Sequence, residues 1–155
     1  MRKINQYDII KAKHQEEFDK FPMAFAITEE DEKNGLKKLG LKETDKDKVT
    51  NIGAGGFIRD TDVEAFNEMM RRHKKEINDL IAADVTGENF IKDMFASELS
   101  NHEYGYTYEL EETLASLDLT IEKINNNKNL QNGLSLALKP YHTEENEETE
   151  EEERW

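Results

Sequence analysis

Four histidines and a dense set of carboxylates are the side chains in this 155-residue sequence with the most chemistry to offer. The segment His102-Glu103-Tyr104 is the most enzyme-like stretch. His73 falls on the apolar stripe Val63, Phe66, Met70, His73, Ile77 and Leu80 of an expected helix, so its ring is expected to point inward. If His73 approaches His102, with Glu98 or Glu103 close by, two imidazoles and a carboxylate form a cluster able to hold a metal or move a proton. The spacing does not complete a known signature. A zinc-protease HExxH helix needs a second imidazole four residues on, and Tyr106 and Thr107 stand near that place. A lone histidine on an apolar face is more often a hydrogen-bonded core residue. No serine or threonine lies in a nucleophile elbow. With no cysteine at all, thiol chemistry, disulfides and Cys-ligated metal sites are excluded. No catalytic residue, metal ligand or cofactor is therefore assigned. His73, His102 and Glu103 stand as a candidate polar cluster, the basis of an alternative reading as a metal-binding protein or metal-dependent enzyme.

Two other segments invite a binding role. Tyr104, Tyr106 and Tyr108 alternate as in a strand and offer either a recognition surface or a strand with one aromatic face on the core, the second being favoured. The run Gly53, Ala54, Gly55, Gly56 would let backbone N–H groups approach a phosphate. No Lys-Ser or Lys-Thr pair follows it, and Asp60 and Asp62 would repel an anion. A hairpin turn that needs positive φ is the better reading.

The elements around these residues follow from pattern. Ile4, Tyr7, Ile10, His14, Phe18 and Phe21 mark a first helix, ended by Pro22. Ala24 to Ile27 reads as a short strand. Thr28 caps a second helix, with Leu36 and Leu39 inward and Gly40 as the C-cap. The glycine segment forms a hairpin within Val49 to Asp62. Thr61 and Glu64, at capping-box spacing, open a long helix to about Ala83. Thr86 caps the next, to about Ser100. The tyrosine strand is expected to pair with the hairpin. Helical sequence resumes at Leu110 to Leu117, then behind the cap Thr120, and Asn125 to Asn127 interrupt it. Leu130, Leu134 and Leu138 form a last helix ended by Pro140. The fold class is α+β: a helix-dominated single domain with a small antiparallel sheet and a disordered acidic C-terminal tail.

The tail is visible in the charge. The chain carries 35 Asp and Glu against 21 Lys and Arg, a net charge of -14. The final HTEENEETEEEERW, residues 142–155, contributes -7 of this and holds none of the 34 Leu, Ile, Val and Phe residues. A like-charged run without apolar partners cannot offset its ordering entropy. The domain is thus expected over residues 1–141 and the tail over 142–155. Within the tail, Glu150, Glu151, Glu152, Glu153 and Trp155 are candidate contacts to a partner. The charge argues against direct nucleic-acid binding, which needs a basic surface. The longest apolar stretch, Phe21 to Ile27, is far short of the ~20 residues that span a bilayer. No signal peptide is evident, and a cytoplasmic location is expected.

The segments FAITEEDEKNGLKKLGL, GAGGFIRDTD with the following RRH, and NHEYGYTYELEETLASLDLT carry a family resemblance. In that order the sequence resembles a group of small, uncharacterised proteins of bacteriophages and gut bacteria, from about Phe21 to Leu119. The matching positions include Phe25, Gly55, Gly56, Phe57, Ile58, His73, Asn101, His102, Glu103 and Tyr104. The resemblance implies a mobile-element accessory protein. By analogy with anti-CRISPR proteins, which are often small, acidic and poor in cysteine, it implies a protein-binding inhibitor. The expected partner is a basic, nucleic-acid-binding host defence nuclease, occluded by charge mimicry.

Overall fold

The computed structural model describes residues 4–153, with side chains described as far as residue 142. The elements run α1 (Gln6–Lys20), β1 (Ala24–Phe25), α2 (Glu29–Lys38), β2 (Val49–Gly53), β3 (Gly56–Arg59), α3 (Val63–Ala83), α4 (Phe90–Asn101), α5 (Tyr104–Thr107), α6 (Glu111–Ser116), α7 (Ile121–Asn125) and α8 (Lys128–Glu153). This is the expected α+β class, helix-dominated with one small antiparallel sheet. The chain forms two compact units: Met1–Lys13 with Ile77–Trp155, and His14–Glu76. Each of α1 and α3 contributes a segment to both.

The unit His14–Glu76 holds the sheet, in the order β1-β3-β2. The central strand β3 pairs antiparallel with β1 through Ala24 opposite Phe57, and with β2 through Thr50 opposite Ile58. The glycine run is the hairpin turn. Gly53, Ala54 and Gly55 all take positive φ, and the Ala26 N–H donates to the Gly55 carbonyl at 2.9 Å. A Cβ at Gly55 would stand 2.7 Å from the Ala26 oxygen, so the close approach of β1 to the turn requires glycine there. Ala24, Leu36, Leu39 and Phe57 form a small core. Thr28 caps α2 in a full capping box with Asp31, and the turn at Gly40 takes φ 77°. Phe66 of α3 meets Phe18 and Phe21 edge to face.

The other unit is built around α4, whose face of Phe90, Ile91, Met94, Phe95 and Leu99 is almost wholly buried. Tyr7, Tyr104, Leu114, Ile124, Leu130, Leu134 and Ala137 pack in the same core, with Ile77 and Ile81 beside it. Tyr7 stands edge to face on Phe90, with ring centroids 6.0 Å apart.

Four expectations are corrected. The tyrosine run is not a strand and does not join the sheet: Tyr104–Thr107 is one helical turn, α5. Alternation put Tyr104 and Tyr108 on one strand face, but they are also four residues apart, and one turn of helix brings their rings together at 5.5 Å. Thr86 is not the main cap of α4. Asp84 does that work, accepting N–H bonds from Gly87, Asn89 and Ile91 at 3.0 to 3.1 Å. The inward stripe of α3 is displaced, with Met69 and His73 buried and Met70 and Leu80 exposed. Pro140 does not end the last helix but lies inside α8. Carrying the helix past Pro140 packs Tyr141 on the core, which offsets the loss of one backbone bond.

Candidate functional site

The segment from Glu98 to Glu112, in the α4-centred unit, holds the candidates His102, Glu103, Tyr104, Tyr106 and Tyr108. Its foundation is Glu98, a carboxylate only 7% exposed on the last turn of α4. It accepts from the Tyr7 hydroxyl at 3.0 Å, the Ser116 hydroxyl at 2.8 Å and the Asn101 amide at 3.2 Å. His102 Nε2 lies 3.3 Å from Glu98 Oε2, and His102 Nδ1 lies 3.7 Å from Glu112. Burial works to raise the Glu98 pKa, but the donors Ser116, Tyr7 and Asn101, with His102 beside them, hold it below the ordinary value. The same burial, together with the neighbouring Glu98 charge, pushes the Tyr7 phenol up. Glu98 therefore stays an anion that ties α1, α4 and α6 together. A hydroxyl, a carboxylate and an imidazole are present, but in the wrong order for nucleophilic catalysis. Ser116 donates to Glu98 and to no histidine, so nothing activates it.

On this base stands a protruding turn. Glu103 and Tyr108, at its two ends, both take left-handed backbone, with φ 57° and 54°. Non-glycine residues hold that conformation only where the surroundings over-determine it. Tyr104 supplies the hold. It is buried, packs edge to face on Tyr141 at 5.0 Å, and its hydroxyl meets His142 Nε2 at 2.8 Å. With Tyr104 fixed, the helical turn projects Tyr106 outward at 88% exposure and leaves Tyr108 54% exposed, its ring 6.0 Å from His142. Along the sequence, the charge of this segment has one sign. Residues 93–122 contain eight Asp and Glu and no Lys or Arg, and Glu103, Glu109, Glu111, Glu112, Asp118 and Glu122 are exposed.

The three residues of the candidate polar cluster are placed in different surroundings. His102 sits at the C-cap of α4 with Glu98, while Glu103 is exposed beside it. His73 belongs to the other unit, where its ring stacks on His14 and faces Glu17. Among the described residues no group of three or more His, Asp or Glu is arranged to hold a metal ion. Glu150, Glu151, Glu152, Glu153 and Trp155 lie outside the residues whose side chains are described. Among the described residues, no helix is long and apolar enough to cross a membrane.

Three features of the site are absent from the sequence reading: the Glu98 hub, the acidic run around α5, and the pairing of Tyr104 with His142. Only the second left a signal in sequence, as thirty residues without a cation. No curated protein and no solved structure matches this chain. A family model matches residues 6–140, nearly all of the folded sequence described above, and the chain belongs to that family, DUF7659, a family of unknown function.

Proposed function

We infer that this protein works by binding another protein through the α5 turn and its acidic surround, without chemistry of its own. The observation that carries this reading is Tyr106, an aromatic side chain 88% exposed at the tip of a turn whose two ends are held in left-handed backbone. Large aromatic side chains presented rigidly to solvent lose little entropy on docking and dominate binding energies. Carboxylates of one sign around them set the partner's chemistry, since a basic surface would be attracted and a nucleic acid repelled.

The partner that fits is a basic, nucleic-acid-binding protein, whose groove the carboxylates would occupy in place of phosphates. A mobile-element accessory protein that inhibits a host defence nuclease, of the anti-CRISPR kind, is the biological form of this reading. Inhibition would then be competitive with nucleic acid.

Affinity capture from a bacterial lysate tests it, comparing the full chain with Tyr106→Ala. Tyr106 makes too little contact for its loss to unfold the chain, so the variant's thermal midpoint should stay within about 1 °C of the parent, consistent with the small effects of exposed sites. The full chain should retain a basic nucleic-acid-binding protein that duplex DNA displaces. The variant should lose it. Equal capture by both, or capture that DNA leaves untouched, contradicts the reading.

A further inference from the structure

The binding surface makes no use of a second cluster of titratable groups, held between α1 and α3 in the unit His14–Glu76. His14 on α1 and His73 on α3 are both buried, and their rings stack with centroids 3.9 Å apart and planes 12° from parallel. His14 Nε2 lies 2.8 Å from Glu76 Oε2, and His73 Nε2 lies 3.3 Å from Glu17 Oε2. Arg72 joins the two carboxylates, donating to Glu76 at 3.0 Å and bridging to Glu17. The charged groups facing the pair are thus Glu17 from α1, and Arg72 and Glu76 from α3. His14 lies within α1 and Glu76 within α3, so their bond ties the two helices to each other.

The charges decide how the cluster answers to acid. With both imidazoles neutral, two carboxylates against one guanidinium leave a single negative charge. One proton on the pair cancels it. A second proton puts two cations face to face and leaves the cluster with a net positive charge. We propose that the His14–His73 stack is a two-proton latch between α1 and α3: it stays closed with one proton bound, and the second proton forces the rings apart and loosens the packing of the two helices on each other.

The environment of His73 agrees. Burial first, and the neighbouring imidazole and guanidinium after it, hold its pKa below the ordinary value, while Glu17 pulls the other way. A histidine whose folded pKa is depressed contributes stability above the unfolded value of about 6.5 and loses it as pH falls toward the folded value. The carboxylates answer later. The bond from Arg72, foremost, holds Glu17 down to about 2, and the bond from His14 leads in lowering Glu76, so both stay charged while the imidazoles titrate.

An NMR titration of the full chain from pH 8 to 4.5 reads the latch through the four imidazoles and the backbone amides. The second proton should part the stacked rings, read as loss of the ring-current shift each imposes on the other. Amide signals of residues 14–20 and 63–76 should move with the second step and stay still in the first. His73→Phe keeps an aromatic ring on His14 and should abolish the second step. Independent titration of both rings with a common midpoint, or amides unmoved by the second proton, would overturn the proposal. If His73→Phe does not fold, the titration of the unaltered chain decides alone.

Discussion

Glu98 shows how much one side chain can carry. Three donors from Tyr7, Asn101 and Ser116 converge on its buried carboxylate, and His102 lies against it. Glu98→Ala would leave the buried Tyr7 hydroxyl without its acceptor, while the exposed Ser116 and Asn101 can turn to water. The expected loss is about 2 kcal/mol, read as a lower urea midpoint. A loss below about 1 kcal/mol would mean that the donors find other acceptors. None of this was legible in the sequence. Tyr7 lies 91 residues from Glu98 and Ser116 lies 18 away, and no local pattern links them. His14 and His73 illustrate the same limit: each was placed on a helical stripe, but which ring would face which depends on how α1 and α3 pack.

The turn between α4 and α6 marks where local reading failed at the level of an element. Thr28, Gly40 and Thr120 announced their caps because a cap is decided within four residues, and all three are found in place. The tyrosine run obeyed two periods at once, and only the tertiary seat of Tyr104 against Tyr141 and His142 selected the helical one. Pro140 misled for the opposite reason: its local preference was outweighed by the packing of Tyr141. Asp84 was missed because its bonds reach as far as Ile91, beyond a standard capping box. Asp84→Ala would strand three backbone N–H groups at the start of α4, where a Cβ on Gly87 would already stand 2.1 Å from the Asn129 oxygen. The expected cost is about 2 kcal/mol, with the amides of Gly87, Asn89 and Ile91 losing hydrogen-exchange protection. Unchanged protection there would show that the carboxylate is dispensable.

Over the whole molecule, the charge is unevenly placed, and the proposed function rests on that unevenness. Half of the -14 lies in residues 142–155. On the rest of the chain, the acids from Glu103 to Glu122 are exposed, and the segment that carries them and Tyr106 has no Lys or Arg in it. The bulk composition argues against a phosphate-binding surface; the proposed reading adds that a basic partner would meet aromatic and carboxylate groups together at α5. The class of fold, with a small antiparallel sheet, and the glycine hairpin were legible from pattern; which strand flanks the hairpin was not, because β1 meets β3 across 33 residues of sequence, Ala24 opposite Phe57. Nor was the proposed binding face, because it depends on a strained turn that sequence periodicity cannot reveal.

The salt dependence of partner capture tests that account most directly. The full chain is compared with a triple variant, Glu109→Lys, Glu111→Lys and Glu112→Lys, across rising ionic strength. If the acidic turn holds a basic partner, retention by the full chain falls steeply with salt, and the triple variant retains little even at low salt. Retention that is equal for the two proteins and flat with salt would contradict it.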